Sequence, residues 1–263
     1  MNINLANRVS IRLVYSLVLA LAAVLPISCI AQSKPKTTDA PIAQTSPSTQ
    51  NANTVKCKSP EEIANFRPPS EWKGSELNHA VIYQDLTAVK KLLKQKVALD
   101  EKDNYGNTPL TNALRLPVRE SKVMAPGVDE QLSRDMKKDR KLAVTMAREL
   151  LKSGADVNLR GFLGNTPLIE VVSQFYSPDN IMNLLNMFIK YKPDVNLQNE
   201  QGFTALMYAA RNGRTEAVKF LLARGADAKL TNCAGETALS IAQSSKSNEA
   251  ISKDLIKILQ GTK

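Results

Sequence analysis

Apolar residues along most of the chain recur at intervals of three and four, the spacing that forms one buried stripe on a helix. The last clear stripe is Val218, Leu221 and Leu222. Three earlier segments carry the same stripe: Val89, Leu92 and Leu93; Ala147, Leu150 and Leu151; Leu185, Phe188 and Ile189. A shorter set of apolar residues precedes each stripe, as Leu206, Ala209 and Ala210 precede the last one. The pattern predicts pairs of short helices from residue 75 onward.

A short polar motif marks the start of the first helix in a pair. Asn-Thr-Pro-Leu occupies 107–110 and 165–168, and weaker copies lie at 203–206 and 236–239. A threonine hydroxyl can cap a helix N-terminus, and proline fits the first turn because no amide hydrogen is needed there. Thr108 and Thr166 are therefore predicted N-caps, with Leu110 and Ala113 buried after the first of them.

A second motif follows the second helix. It reads Gly-Ala-Asp-Val-Asn, Lys-Pro-Asp-Val-Asn and Gly-Ala-Asp-Ala-Lys at 154–158, 192–196 and 225–229. Gly225 is predicted to end its helix in a left-handed turn. The tetrads 103–106 and 161–164 each end in glycine and predict tight turns.

The two motifs stay in register at a fixed period. Thr204 and Thr237 are 33 residues apart, as are Ser75 and Thr108. The pattern resembles the ankyrin-repeat family, whose copies carry Thr-Pro-Leu-His-x-Ala-Ala and Gly-Ala-Asp-Val-Asn. The resemblance implies an all-α ankyrin-repeat solenoid of about five helix-turn-helix units with short hairpin fingers. The expected units are 75–102, 103–160, 161–198, 199–231 and 232–260, and we expect them to fold as one array.

The sequence departs from the family in two ways. The histidine that follows the motif leucine is replaced by Asn78, Thr111, Ile169, Met207 and Ser240. We therefore expect the hydrogen-bond network of that histidine to be absent or replaced. The second unit is also stretched, and its insertion at 115–141 carries a net charge of +3. Its second helix is predicted to be elongated from Asp129 onward. The insertion is either a solvated face of mixed charge or a contact surface specific to this protein.

The amino terminus has the order of a signal peptide. Residues 1–31 contain two arginines and no acid, an apolar run from Leu13 to Ile27, and Ala31 at the expected cleavage point. Cys29 suggests a lipoprotein, although proline occupies the place where a lipobox has leucine. Lipidation of Cys29 and an uncleaved membrane anchor remain alternatives. Residues 32–69 are predicted to be a disordered linker to a folded domain at 70–263. We expect an exported protein, periplasmic or secreted, with membrane anchoring as a variant.

The composition disfavours most kinds of catalytic site and metal site. His79, the single histidine, has no serine or cysteine partner in a recognisable spacing, and no phosphate-binding, dinucleotide or calcium motif occurs. We expect no enzyme activity, no cofactor and no metal site. The equivalent residues Asp156, Asp194 and Asp227 are predicted to be structural. Cys57 lies in the linker and Cys233 near the far end of the fold, and both thiols are expected to be unpaired.

The family resemblance implies that a protein partner binds to the fingers and to the concave face of the first helices. The candidate partner-binding residues are turn and first-helix positions that the fold does not dictate: Tyr105, Phe162, Leu163, Phe203, Arg211 and Asn212. For Phe162 and Phe203 the alternative is packing on neighbouring fingers alone.

The net charge of +10, of which +8 lies outside the signal segment, leaves other functions open. The chain could bind anionic lipid or cell-wall material, or it could neutralise or protect a periplasmic enzyme or toxin. Nucleic acid is disfavoured, because the basic insertion lacks stacking aromatic residues. We expect a monomer.

Overall fold

The computed structural model describes residues 57–58, 62, 71, 73–115, 130–174, 178–245 and 249–261. Only the backbone is described for 130–139, 178–179 and 249–252. The predictions for the signal peptide, Cys29, most of the linker and most of the 115–141 insertion lie outside these residues. The helices below belong to a compact unit, Arg67–Lys263, and Cys57, Lys58 and Glu62 belong to a separate one.

Ten α-helices lie in the described part of the larger unit, and no strand occurs among the described residues. In chain order they are α1 (Glu76–Ile82), α2 (Leu86–Lys94), α3 (Pro109–Leu114), α4 (Glu130–Lys152), α5 (Pro167–Ser173), α6 (Pro178–Phe188), α7 (Ala205–Arg211), α8 (Thr215–Leu222), α9 (Ala238–Ser244) and α10 (Glu249–Gln260). The five pairs confirm the predicted all-α fold of about five helical units. The elongated second helix of the second unit is confirmed by α4.

Two short 3₁₀ turns, Phe162–Gly164 and Ile189–Tyr191, lie between the helices. Ile189 was expected on the buried stripe of the second helix in its unit. It lies instead in the turn after α6 and is half-buried. No helix among the described residues has the length and apolar character needed to cross a bilayer.

Threonine caps begin the first helices, as the motif predicts. The Thr108 hydroxyl accepts a hydrogen bond from the Thr111 amide at 3.2 Å, and Thr166, Thr204 and Thr237 make the equivalent bond. Pro109 lies in the first turn of α3, where its missing amide hydrogen costs nothing. Each such cap stabilises a helix start by about 1 kcal/mol.

The helices form two layers. In the first-helix layer α1, α3, α5, α7 and α9 pack against one another in order, and each also packs against the second helix of its own pair. The core between the layers includes Leu110, Leu206, Ala209 and Ala210, all at most 1% exposed. The small alanines let the backbones of α7 and its neighbours approach closely, as the sequence predicted.

The chain leaves the second helices through left-handed residues. Gly154 and Gly225 have φ of +99° and +84°, and Lys96 and Lys192 have φ of +56° and +52°. The left-handed turn predicted at Gly225 is confirmed. The two lysines adopt the same conformation although a Cβ makes it unfavourable by about 1 kcal/mol.

The aspartates after these turns join one unit to the next. The Asp194 amide donates to Asn158 Oδ1 at 2.9 Å, and the Asp227 amide donates to Asn196 Oδ1 at 2.8 Å. The Asp194 carboxylate in turn accepts from the Asn196 amide at 2.9 Å. We call this series the aspartate ladder. It confirms the predicted structural role of the repeated aspartates.

The cysteine prediction was wrong. Cys57 and Cys233 are both disulfide-bonded. Their separation along the chain favoured two free thiols, but bridging depends on the distance between Cβ atoms in the folded protein, which sequence separation does not determine.

Candidate partner-binding site

Four tight turns between the units form what we call the fingers, each numbered by the unit that it begins: the second (103–107), the third (161–165), the fourth (199–203) and the fifth (232–236). In each, the amide of the first residue donates to the carbonyl of the fifth, at 2.7 to 3.0 Å. The side-chain oxygens of Asp103, Asn199 and Asn232 each accept two further amides of their own finger at 2.9 to 3.0 Å. These bonds fix the turn backbone without any regular strand.

Neighbouring fingers are also bonded to each other. The Glu200 amide donates to the Leu163 carbonyl at 3.1 Å, and the Cys233 amide donates to the Gln201 carbonyl at 3.0 Å. The row from the third finger to the fifth unit therefore presents its tips in a fixed arrangement. A preordered surface loses less conformational entropy when a partner binds.

The third finger uses a different construction. Gly161 replaces the side-chain acceptor, and a Cβ there would lie 2.9 Å from Thr111 Oγ1. Asn107 Oδ1 of the previous finger accepts the Phe162 amide instead, at 3.0 Å. The Phe162 side chain is only 7% exposed, and the Arg115 guanidinium lies 4.8 Å from its ring centroid. Phe162 thus packs within the stack and offers a partner little surface.

The residue at the tip of that finger is Leu163. It is half-buried, and its φ of +54° is left-handed although it carries a Cβ. This conformation lets the Leu163 carbonyl accept the Glu200 amide while the side chain stays at the tip. Leu163 therefore keeps accessible apolar surface that Phe162 does not.

An aromatic cluster with an arginine lies at the fourth finger and α7. The ring centroids of Phe203 and Tyr208 are 5.1 Å apart, and the Arg211 guanidinium carbon is 6.0 Å from the Phe203 centroid. All three side chains are half-buried. The structure brings together Phe203 and Arg211, which the sequence singled out, and adds Tyr208, which it did not. We call these three residues the Phe203 cluster.

Tyr208 connects this cluster to a buried polar group. Asn199 Nδ2 donates to the Tyr208 hydroxyl at 3.3 Å and to Asn165 Oδ1 at 2.8 Å. Burial raises the pKa of Tyr208, with a smaller contribution from the charge of Glu170, whereas the bond from Asn199 opposes the shift. The phenol is therefore neutral at physiological pH and available as a hydrogen-bond donor.

Glu170 lies at the centre of the first-helix layer and is 1% exposed. Its carboxylate accepts from Asn165 Nδ2 at 3.1 Å and from Gln174 Nε2 at 2.8 Å, and an Arg115 guanidinium nitrogen lies 3.9 Å away. No local pattern distinguishes this residue in the sequence, because carboxylates are frequent on helix surfaces. Its contacts join the second and third units, and Asn165 connects them to Asn199 of the fourth unit.

Asn212, another candidate, is exposed, but its side chain makes a hydrogen bond within the fold. Its side-chain amide donates to the Val172 carbonyl at 3.2 Å, near the C-terminal end of α5. Arg214, which the sequence analysis missed, donates to the Val172 carbonyl at 2.7 Å and also to the Gln174 carbonyl. Burial lowers the pKa of Arg214 to about 10, so it remains charged at neutral pH. These donors satisfy carbonyls that a helix end leaves free.

Tyr105 lies on the second finger and is half-buried. Its amide donates to Asp103 Oδ1 at 2.9 Å. Burial, followed by the negative charge of Asp103, raises the pKa of the Tyr105 phenol. The phenol is thus a neutral group at the finger row, separate from the Phe203 cluster.

The described residues contain no group of three or more histidine, cysteine or acidic side chains that could hold a metal ion. His79 is exposed and its ring centroid lies 4.2 Å from that of Tyr83. The carboxylate oxygens of Asp103 accept hydrogen bonds from backbone amides and from Asn112.

Comparison with known proteins agrees with the repeated geometry. Residues 176–260 match the family model described as Ankyrin repeats (3 copies). The helix pairs, fingers and ladder of the earlier units continue the same pattern from residue 75. This chain is an ankyrin-repeat protein.

The relatives of this ankyrin-repeat protein differ from one another outside the matched segment, as their names show. It is 42% identical over 80 residues to the NAD-capped RNA hydrolase of Pongo abelii, a match covering 29% of this chain and 17% of the relative. It is 26% identical over 161 residues to a putative ankyrin repeat protein of Fowlpox virus, covering 56% of this chain and 26% of that protein. A third relative is the ankyrin repeat, SAM and basic leucine zipper domain-containing protein 1 of Dasypus novemcinctus, 27% identical over 159 residues, 60% of this chain and 28% of the relative.

The chain thus matches about a sixth to a quarter of the length of these relatives. Ankyrin repeats generally mediate protein–protein interactions, which fits a finger row held rigid by its own hydrogen bonds. The activities in the relatives' names describe those proteins.

This ankyrin-repeat protein replaces the motif histidine differently in each unit. Asn78 is fully buried, donates to the Glu101 carbonyl at 2.7 Å and accepts from Asn112 Nδ2 at 2.9 Å. Thr111 and Ser240 close capping boxes with the threonine three residues before them. Ile169 and Met207 are buried apolar residues, at 0% and 1% exposure. The expected network is therefore replaced in three units and absent in two.

Proposed function

We propose that this protein is an exported, non-catalytic scaffold that binds another protein through its finger tips and first-helix layer. The Phe203 cluster carries this proposal. Its two aromatic rings and its arginine are only partly buried and lie together at one place on the finger row. Aromatic and arginine residues supply much of the binding energy of protein interfaces.

The hydrogen bonds around the Phe203 cluster are consistent with a binding surface at this place. The finger bonds and the Asn199 contacts to Phe203 and Tyr208 hold the cluster in one arrangement, so a partner would meet a preformed surface. Leu163 extends the accessible apolar area along the finger row, and Asn212 lies beside Arg211 on the same helix end. Phe162 and Asn212 act mainly through packing and capping, and we assign direct partner contact to Phe203, Tyr208, Arg211, Leu163 and Tyr105.

The face is tested by comparing two arginines that both contact phenylalanine rings. Arg211→Ala removes the arginine of the Phe203 cluster, and Arg224→Ala removes one whose guanidinium lies 3.5 Å from the Phe220 centroid at the end of α8. We expect Arg211→Ala, alone or with Phe203→Ala, to weaken partner binding by about 2 kcal/mol. Arg224→Ala should bind as the wild type does.

The measurement is affinity capture from an envelope extract, with quantitative mass spectrometry of the proteins retained by each variant. Circular dichroism checks that each variant keeps its helices. If the Arg211→Ala and Arg224→Ala proteins retain the partner equally well, the proposed binding face is wrong. Retention that disappears in moderate salt for all variants would favour the alternative of charge-driven binding to anionic lipid or cell-wall material.

Export is supported by the residue order at 1–31 and by the disulfide-bonded state of Cys57 and Cys233, since disulfides persist mainly in oxidising compartments. Residues 1–40 fused to an alkaline phosphatase that lacks its own signal should give active enzyme in bacteria. Deleting 13–27 should abolish that activity. Palmitate labelling of the full chain, compared with Cys29→Ser, decides between a free and a lipid-anchored form. An inactive fusion would contradict export.

The absence of catalysis is a separate part of the proposal. The relative that hydrolyses NAD-capped RNA shares only 17% of its length with this match, and no metal-binding group occurs among the described residues. Purified full-length chain should therefore leave NAD-capped RNA intact in the presence of Mg²⁺ or Mn²⁺. Release of a cleaved nucleotide that scales with protein concentration would overturn this part.

A further inference from the structure

Among the described helices, the contacts along the second-helix layer are weakest between α4 and α6. Along this layer α2 packs against α4, α6 against α8, and α8 against α10. Between α4 and α6 the structure has instead a groove with a volume of about 710 Å³, which we call the outer groove. Its walls are α4, which with 23 residues is the longest of the described second helices, and α6, which has 11 residues.

The outer groove is strongly basic. Its described lining residues include four positive side chains and no carboxylate, with Lys141 and Arg148 on the α4 wall and Lys190 just beyond α6. Lys141, Arg148 and Lys190 are all exposed. Positive charges gathered along a concave surface attract and orient a negatively charged partner.

The opposite wall offers a row of amides. Asn180, Asn183 and Asn186 recur every three residues along α6 and all line the groove, so they lie close to one face of the helix. A side-chain amide has both a donor and an acceptor, the two groups that a peptide backbone also presents. Val144 and Met187 add apolar surface between the charged ends. This combination suits an extended peptide better than an isolated phosphate or a flat membrane.

The length of the groove agrees with such an occupant. From Arg140 to Arg148 the α4 wall rises by eight residues, about 12 Å at 1.5 Å per residue. An extended chain covers that distance with about four residues. Their side chains point alternately to either side, so acidic side chains at every second position could face the basic wall while the backbone meets the asparagines.

We propose that the outer groove binds an extended acidic segment of a partner protein. This surface lies on the second helices and is distinct from the Phe203 cluster, which belongs to the fourth finger and α7. The two sites would allow one partner to be held by two faces, or two partners to be held at once.

The test uses the full-length chain and a fluorescein-labelled peptide of about eight residues that alternates Glu with Ala. The control peptide has Gln in place of Glu. Fluorescence anisotropy should show binding of the acidic peptide, weakened by salt, and at least about tenfold weaker binding of the neutral one. Equal binding of both peptides, or no binding of either, overturns the proposal.

Two pairs of variants locate the binding. Arg148→Glu with Lys190→Glu should weaken acidic-peptide binding by at least about tenfold. The matched control, Lys229→Glu with Lys257→Glu, makes the same charge change at exposed residues outside the groove and should lose much less. Asn183→Ala with Asn186→Ala keeps the charge and removes two amides, and it should also weaken binding severalfold. If the matched control loses as much as the groove variant, or if the asparagine pair has no effect, the assignment is wrong.

The same assay distinguishes the proposed peptide ligand from a lipid surface and from free phosphate. Inorganic phosphate should displace the peptide no better than an equal ionic strength of sodium chloride. Vesicles of phosphatidylglycerol and phosphatidylcholine should not bind in a way that the Arg148→Glu and Lys190→Glu pair abolishes. Specific displacement by phosphate, or groove-dependent vesicle binding, would overturn the peptide assignment in favour of a phosphate ligand or a membrane.

Discussion

Gly202 and Gly106 occupy the same position in two fingers but have different surroundings. Both have positive φ, +77° and +82°. A Cβ on Gly202 would lie 2.8 Å from the Cys233 amide nitrogen and 2.9 Å from Asn232 Cα, whereas nothing lies within 4 Å of a Cβ on Gly106. The first glycine provides space for the next finger, and the second provides only the backbone conformation.

Replacing each glycine by alanine should separate these two roles. Gly106→Ala should lower the free energy of unfolding by about 1 kcal/mol, the cost of a Cβ in the left-handed region. Gly202→Ala adds a clash with backbone that cannot move freely, and we expect a loss of about 3 kcal/mol. Urea unfolding followed by circular dichroism measures both. If both variants lose the same free energy of unfolding, the fourth and fifth fingers can move apart without an energetic cost.

The candidate residues show where sequence reasoning ends at this scale. Phe162 and Phe203 look alike in the sequence because each is an aromatic residue in a finger. Phe162 is buried beside Arg115, while Phe203 is only partly buried and lies near Arg211. Glu170 and Arg214 were missed because their roles depend on partners 40 or more residues away, or on burial, which a local pattern does not reveal.

At the scale of elements, the aspartate ladder links the turns that follow the second helices. Asn196 has a double role in it, since its Oδ1 accepts the Asp227 amide and its Nδ2 donates to the Gly225 carbonyl at 3.1 Å. The equivalent residue of the next unit is Lys229, whose side chain has no acceptor. The ladder therefore ends at the fourth unit.

Asn196→Ala should remove two bonds between units and lower the free energy of unfolding by about 1 kcal/mol. Lys229→Ala, at the equivalent ladder position, should change it by less than about 0.5 kcal/mol. Hydrogen exchange gives the local measurement, because the Asp227 amide should exchange faster in Asn196→Ala than in the wild type. Unchanged protection of that amide would mean that the ladder bond is not formed in solution.

The helix boundaries themselves followed from local sequence. Threonine caps, prolines in the first turn and apolar stripes act within four residues, so the pattern predicts the five pairs without any tertiary contact. The exceptions have a physical cause. Lys96 and Lys192 adopt left-handed turns without glycine, and Ile189 lies in a 3₁₀ turn. Local preferences of this kind are worth about 1 kcal/mol, which tertiary context routinely outweighs.

At the scale of the whole chain, the cysteines carry a chemical signature. Cys57 and Cys233 are the cysteines that the structure describes, and both are disulfide-bonded. A disulfide stabilises a protein by about 2–4 kcal/mol, mainly by restricting the unfolded chain. Stability should therefore depend on the redox state of the protein.

Thiol titration tests this directly. Full-length Cys29→Ser protein, purified without reductant and then denatured, should react with no thiol reagent. After reduction the same protein should show both thiols and a lower melting temperature. A reactive thiol in the unreduced, denatured sample would show that the bridge does not form. A melting temperature unchanged by reduction would show that the bridge adds no stability.

The sequence by itself determined the repeat, the helix pairs, the caps and the family, because each depends on residues close together in the chain and recurs five times. The tertiary structure alone decided which candidate side chains stay accessible, how the missing histidines are replaced, that the cysteines are bridged and that a basic groove separates α4 from α6. Those features depend on distances between units. Such distances arise from the sum of many packing contacts, and no single stretch of sequence encodes them.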